Sequence, residues 1–428
     1  MKLFGSSGIR DVVNREFLEL LFEVGLSVGS SYRQVVVGGD TRTSTSALKH
    51  VFISAMLSAG SRCYDAGTIP TPTLAYAASK FEAGAMLTAS HNPPQYNGIK
   101  LFNPDGSAFD SAQRERIEDM IGNRALELAS WEAMEPSRIY TQAIEEHVER
   151  ILRDFGSGLR LRVVLDCGCG AASQVTPHLL RRMGCEVLAL NCDPSGHFPR
   201  GIEPIPENLG MLVQIVKGTC ADLGIAHDGD GDRMIAVDDA GRFVSGDKLL
   251  VLFARELGAG QVVTTVDASM AIEESGFKVI RTRVGDAFVS EELKRGGDFA
   301  GEPSGIWIFP SISYCPDGIY AAAQLVHIAC EKRLSKLLDD LASYPVLRGS
   351  VGGEGVIMER VERRLMEMEP VSVDTIDGLR LNFEDGWLLI RPSGTEPKIR
   401  LTVEARTQSR SKQLYDLGIQ AIKECKKG

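Results

Sequence analysis

Apolar runs that close on an acid, each followed by a stretch of helical period, recur three times along this chain. Val35-Val36-Val37-Gly38-Gly39-Asp40 is the first, and a helical stretch separates it from a second strand that begins in Ala59-Gly60-Ser61-Arg62-Cys63-Tyr64. Arg162-Val163-Val164-Leu165-Asp166-Cys167-Gly168 opens the next copy, a helix with Leu179, Leu180 and Met183 follows, and Gly184-Cys185-Glu186-Val187-Leu188 closes it. The third runs from Gln261-Val262-Val263-Thr264-Thr265-Val266-Asp267 to Ser275-Gly276-Phe277-Lys278-Val279-Ile280. Strand, acid, helix, glycine, strand at this spacing predicts βαβ units. Three copies point to three related α/β domains, and one long doubly wound sheet is the other arrangement the pattern allows.

The rhythm changes after Pro345. Val371–Asp374, Leu379–Phe383, Trp387–Ile390 and Ile399–Val403 read as successive strands, with Asp377-Gly378 and Asp385-Gly386 as turn pairs between them. A final helix places Leu414, Leu417, Ala421 and Cys425 on one face, with Gly418 as a weak point inside it. The expected architecture is three α/β domains and a smaller C-terminal α+β domain with an antiparallel sheet. The expected boundaries are 1–137, 138–239, 240–344 and 345–428. Residues 130–137 show no apolar period and contain Pro136, and Ile144, Val148, Ile151 and Leu152 then share a helical face. The later boundaries fall at Asp239-Ala240-Gly241 and Ser343-Tyr344-Pro345.

The net charge of −10 argues against nucleic acid or an anionic membrane as partner, since either needs a basic face. An anionic substrate would need locally clustered Lys and Arg. Nine scattered cysteines without a CxxC pair suggest buried thiols in a reducing compartment rather than zinc or a disulfide framework. The N-terminus lacks the apolar core of a signal peptide, and the chain has no apolar run of about 18 residues. Cytoplasm is the expected location.

Chemistry concentrates in a few short stretches. Gly84-Ala85-Met86-Leu87 reads as a buried strand, and Pro93-Pro94 forbids helix or central strand soon after it. Ser90 in Thr88-Ala89-Ser90-His91-Asn92-Pro93-Pro94 therefore sits on a loop at a strand end, a common address for chemistry in α/β folds. Asn97-Gly98-Ile99-Lys100 follows. Asp228, Asp230 and Asp232, spaced by glycines and followed by Arg233, can converge from one tight loop, and an all-oxygen set favours a hard cation such as Mg²⁺. An EF-hand is unsupported: its sixth position would be Arg233 and its twelfth Asp239, and the flanks read as strands. Arg391-Pro392-Ser393-Gly394-Thr395-Glu396-Pro397, with Lys398 and Arg400 behind it, can cradle an anion with backbone N–H groups, hydroxyls and a bidentate arginine. Taken singly, the stretches also have plain readings: Gly301-Glu302-Pro303-Ser304-Gly305 is an ordinary turn, Arg281-Thr282-Arg283-Val284-Gly285-Asp286 an exposed basic strand end, and the opening Phe4-Gly5-Ser6-Ser7-Gly8-Ile9-Arg10 a loose terminus.

Together, and in this order, these stretches resemble the motifs of the α-D-phosphohexomutases, the family of phosphoglucomutase, phosphomannomutase and phosphoglucosamine mutase. The resemblance covers the whole chain. It implies that Ser90 is a phosphoryl carrier, that the three aspartates and the phosphoserine hold Mg²⁺, and that Arg10 and Arg233 face the phosphoserine. His91 is grouped with these catalytic residues. Glu302 and Ser304 would bond sugar hydroxyls, and Arg283 would reach the active site. Arg391, Ser393, Gly394, Thr395 and Arg400 would clamp the phosphate that is not being transferred. A sugar 1,6-bisphosphate would be the intermediate and activator. Lys100 is the expected general acid/base, its pKa lowered by Arg10 and Arg233 although the phosphate opposes this. Two positions depart from the family: Asp11 where glycine is usual, and Ile306 where a histidine assists proton transfer. The Val284-Gly285-Asp286-Ala287-Phe288-Val289 stretch favours glucosamine phosphate over glucose or mannose phosphate. A metal-dependent phosphomonoesterase and a non-catalytic phosphosugar-binding protein are the alternatives. Monomer and homodimer both stay open.

Overall fold

The structure, a computed structural model, describes residues 2–5, 7–354, 356–392 and 398–425. In the first domain the strands Gln34–Gly39, Arg62–Thr68 and Ala83–Leu87 run parallel. Tyr96–Phe102 folds back antiparallel on Ala83–Leu87 and carries Ile9–Val12 on its far side. Ala83–Leu87 is buried along its whole length, as an all-apolar run covered on both faces should be. The short strand Arg138–Ile139 lies at the opposite edge of this sheet, although the sequence assigned it to the second unit.

The second sheet is ordered Phe243–Val244, Met234–Val237, Leu223–His227, Arg162–Asp166, Glu186–Leu190. Phe243–Val244, expected in the third unit, thus closes the second sheet by pairing with Met234–Val237. The third sheet has Gln261–Thr265 between Lys278–Thr282 and Phe299–Glu302, all parallel, with Ile306–Ile308 antiparallel at one edge. The second and third domains share one continuous apolar core. The helix Gly318–Glu331 explains why: Ile319, Leu325, Val326 and Ile328 point in different directions, and all are buried. A helix that is apolar on every side has to be enclosed.

The C-terminal sheet is antiparallel throughout, with Lys398–Ala405 and Gly386–Pro392 central. Its edge strand Val346–Gly352 and the helix Met358–Met366 were not anticipated. Val346–Gly352 alternates only weakly in sequence, since glycines stand at two of its positions, with Leu347, Gly349 and Val351 half-buried between exposed Arg348, Ser350 and Gly352. The terminal helix Gln408–Glu424 corrects one expectation: Leu417 is 37% exposed, and Gly418 takes the inward position. A Cβ there would lie 3.0 Å from methyl carbons of both Leu388 and Leu401, so the sheet packs onto the backbone itself. Among the described residues no helix is long and apolar enough to cross a membrane.

Overpacking this contact should destabilise the C-terminal domain. Gly418→Leu is expected to cost about 1–3 kcal/mol and to lower the melting temperature. A thermal melt identical to wild type would refute the packing argument.

Candidate active site

Ser90 follows the buried strand Ala83–Leu87 and adopts φ 51°, a left-handed conformation that a serine holds only when its surroundings enforce it. Arg42 supplies the enforcement. Its Nε donates to Asp40 Oδ2 at 3.0 Å, Nη1 to the carbonyls of Pro93 and Tyr96 at 2.9 and 3.0 Å, and Nη2 to those of Ser90 and Asn92, both at 2.7 Å. Every N–H of the guanidinium is used. Asp40, at the end of Gln34–Gly39, also accepts from the Thr45 and Thr88 hydroxyls, and Thr88 Oγ1 accepts the Ser90 N–H at 2.9 Å. Burial raises the Asp40 pKa, while Arg42 and the two hydroxyls oppose that rise. Sequence reasoning missed Arg42: an acid and an arginine two residues apart after a strand look like any surface turn.

The three aspartates occupy the loop of the hairpin formed by Leu223–His227 and Met234–Val237. Glycine at 229 is required because a Cβ would stand 2.5 Å from the Ser90 carbonyl oxygen. Ser90 Oγ donates to Asp228 Oδ2 at 2.8 Å. Asp228 Oδ1 accepts the N–H groups of Gly231 and Arg233. Asp230 Oδ2 accepts from Thr71 Oγ1 at 2.5 Å and Lys100 Nζ at 2.8 Å, and Asp232 Oδ2 accepts from Lys100 at 2.6 Å. Oδ1 of Asp230 and Oδ1 of Asp232 are buried without a partner. Each aspartate offers an oxygen within 4.8 Å of the others. Buried, orphaned carboxylate oxygens converging on one point fit a hard cation.

Burial and the neighbouring Asp232 and Asp230 raise the pKa of Asp228. Lys100 corrects the sequence expectation. Burial acts to lower its pKa and Arg10 adds to that, but Asp230 and Asp232 override both, so the pKa is raised. Lys100 is a cation in this site. His91 Nδ1 lies 3.4 Å from Ser90 Oγ. Arg233, burial and Arg10 push the His91 pKa down to about 2, which keeps the imidazole neutral. Arg10, on the edge strand, donates to Asn92 Oδ1 at 3.0 Å. Arg233 is paired through Nη1 with Glu203 at 2.9 Å, and its buried Nε has no partner.

Glu302 ends the strand Phe299–Glu302. Ser304 Oγ donates to its Oε2 at 3.2 Å, and its buried Oε1 has no partner. Burial, with Asp286 and Asp267 adding, pushes its pKa up to about 8. Asp286 accepts from the Ser7 hydroxyl. Ile306 packs into an apolar cluster with Val263, Val289 and Ile308, so that position offers no titratable group. Arg391 Nη1 pairs with Asp377 Oδ2 at 2.7 Å. Arg400 lies opposite Arg391 in the ladder and is exposed. Arg283, expected in the active site, donates through Nε to the Ile376 carbonyl at 3.0 Å and packs over Phe288. It thus sits in the seam between the third and fourth domains. Ser393, Gly394 and Thr395 lie outside the described residues.

Models of phosphoglucomutase/phosphomannomutase α/β/α domains I, II and III and of the C-terminal domain match residues 1–127, 138–241, 245–344 and 356–416. The chain belongs to the phosphoglucomutase/phosphomannomutase family. A probable phosphoglucosamine mutase of Methanosarcina acetivorans is 49% identical, with 100% of each chain covered. One of Methanocella arvoryzae is 48% identical over 99% of each. A solved structure of a phosphoglucomutase/phosphomannomutase family protein from Burkholderia thailandensis superposes with a TM-score of 0.88 at 28% identity, covering 99% of this chain and 97% of that one. The protein is a phosphohexomutase, an isomerase that works by phosphoryl transfer.

Arg42 holds the Ser90 loop through four of its carbonyls, so the loop's form depends on the planar guanidinium. A lysine keeps the charge but loses the planar fork. Arg42→Lys is expected to remain folded by circular dichroism while kcat falls by at least about tenfold, about 1.4 kcal/mol. Unchanged kcat would show that the loop needs no such support.

Proposed function

We propose that this mutase interconverts glucosamine 6-phosphate and glucosamine 1-phosphate through a phosphorylated Ser90 and a glucosamine 1,6-bisphosphate intermediate, with Mg²⁺ as cofactor. The observation that carries the reading is the 2.8 Å contact of Ser90 Oγ with a buried aspartate triad that has orphaned oxygens. Asp228, Asp230 and Asp232 hold the metal. Bound Mg²⁺ offsets the phosphate charge, about −1.5 to −2, and polarises the phosphorus. Arg10 and the unpaired Nε of Arg233 hold phosphate oxygens. Lys100, charged at the start, stabilises negative charge and donates a proton, the acid half of the acid/base role expected for it. Arg391 grips the phosphate that is not transferred. Nine cysteines without a disulfide among the described residues support action in a reducing compartment, the cytoplasm.

The sugar assignment rests on charge. The three parallel strands of the third sheet each deliver one carboxylate at their C-terminal ends: Asp267 after Gln261–Thr265, Asp286 after Lys278–Thr282, and Glu302 itself. The side-chain partners of these carboxylates are hydroxyls, from Thr265, Ser7 and Ser304. An ammonium at C2 offsets Asp267 and Asp286 and favours ionisation of Glu302, whose pKa burial and those two acids push up to about 8, whereas a hydroxyl does not. The names of the relatives, probable phosphoglucosamine mutases, support the same sugar.

A coupled assay with glucosamine 1-phosphate, Mg²⁺ and bisphosphate tests the reading. The 6-phosphate is the expected product, and inorganic phosphate would mean a phosphatase. Ser90→Ala should abolish turnover, and peptide mass spectra of active enzyme should carry about 80 Da on the Ser90 peptide. Full activity of Ser90→Ala would end the carrier role.

Asp286→Asn should lower kcat/KM for glucosamine 1-phosphate about tenfold and leave glucose 1-phosphate nearly unaffected, the order of one charged hydrogen bond. Equal losses on both sugars would refute the charge argument.

A further inference from the structure

Arg391, the arginine read as gripping the second phosphate, is already engaged on one edge. It lies near the end of the strand Gly386–Pro392, and its Nη1 donates to Asp377 Oδ2 at 2.7 Å. Asp377 belongs to the turn between Ser372–Asp374 and Leu379–Phe383. Gly378 in that turn has φ 90°, and a Cβ on it would stand 2.4 Å from the Ile390 carbonyl oxygen and 3.1 Å from Arg391 Cα. The turn is therefore pressed against the backbone that carries the arginine.

The same Asp377 oxygen reaches across to the third domain, where it accepts the Val284 N–H at 3.1 Å. The adjacent Ile376 carbonyl accepts from Arg283 Nε at 3.0 Å. Beneath these polar contacts lies a small apolar cluster of Val266, Trp387 and Leu389, with Met270 and Val284 packed on it. Val284 is two residues from Asp286, which starts the helix Asp286–Arg295 and takes the Ser7 hydroxyl. One carboxylate thus joins the arginine of the fourth domain to the sugar-facing loop of the third.

The arginine and aspartate side chains are 21% and 25% exposed, so solvent screens the pair and its effect on stability is small. An acid close to a phosphate site is also unfavourable unless the cation between them serves both. The geometry explains its presence differently. A guanidinium held on one edge has lost most of its freedom before the ligand arrives, and its remaining N–H groups keep the planar fork that matches phosphate.

We propose that Asp377 is a positioning residue that pins one edge of Arg391 for the substrate's non-transferred phosphate and couples that grip to the loop Arg283–Asp286. The inference rests on the proposed function in taking a phosphosugar as ligand and Arg391 as the residue that grips its non-transferred phosphate.

A double-mutant cycle tests it, with wild type, Asp377→Ala, Arg391→Ala and the double variant. Three quantities are read: kcat and KM for glucosamine 1-phosphate, and the calorimetric Kd for glucose 1-phosphate. Asp377→Ala should raise KM and Kd about tenfold with kcat nearly held, the loss of one charge-assisted hydrogen bond. Asp377→Asn, which keeps an acceptor for Val284, should fall between. The double variant should match Arg391→Ala, because Asp377 acts through that arginine. If the two losses multiply, or if Asp377→Ala moves neither KM nor Kd, the proposal is overturned. Should thermal melts show that the alanine variant does not fold, the same comparison is made with Asp377→Asn. A wild type that binds glucose 1-phosphate but does not turn over glucosamine 1-phosphate defeats the sugar assignment alone, and the Kd cycle still decides the role of Asp377. A wild type that binds no phosphosugar overturns both.

Discussion

A single buried guanidinium carries the catalytic architecture of this protein. Arg42 is 3% exposed, and its N–H groups satisfy four carbonyls of the Ser90 loop and one oxygen of Asp40. Burying an arginine and an aspartate costs several kcal/mol for each ion, and only full hydrogen bonding recovers it. That condition is met here on both sides, because Asp40 also takes two threonine hydroxyls. The result is a loop with no ladder of its own that is nevertheless as tightly determined as a strand. Ser90 can therefore keep a left-handed backbone and present Oγ to Asp228.

Charge is divided across the cleft. The first two domains bring Arg10, Lys100 and Arg233 together around Ser90, balanced by the aspartate triad. The third domain brings Asp267, Asp286 and Glu302, and among the described residues no cation of its own is hydrogen-bonded to them. A ligand with a phosphate at one end and an ammonium on the ring matches this division. Lys100 shows why local reading of a charge fails in such a site. Its nearest groups in the fold are the carboxylates of the second domain, and they outweigh the arginines.

The domains are joined unequally. The second and third share a core, and His147 ties the first to both, with Thr73 at 3.0 Å on one ring nitrogen and Asp317 at 3.0 Å on the other. The fourth is held by a small apolar cluster and a few polar contacts around Asp377, Arg380 and Glu404. A small and partly polar interface is the kind that permits relative domain motion. A clamp that has to admit and release a phosphosugar belongs on such a domain.

The repeating strand, acid, helix and glycine pattern was enough to read three α/β domains, because buried parallel strands have to be apolar throughout and their ends have to turn. The convergence of Asp228, Asp230 and Asp232 was legible for a similar reason: residues that converge from one short loop stay close together in sequence. The edge strand Val346–Gly352 was not legible, since two glycines blur its alternation and pairing with Lys398–Ala405 completes it. Leu417 and Gly418 exchanged their expected places because the sheet, not helical period alone, chose which contact is closest. Arg42, Asp377 and the charge on Lys100 were decided only by tertiary structure. Each depends on groups brought from far along the chain, Ser90 for Arg42, Val284 for Asp377, and Asp230 with Asp232 for Lys100. Electrostatics and hydrogen bonding act over a few ångströms of space, and sequence records that distance only when the chain is short between the partners.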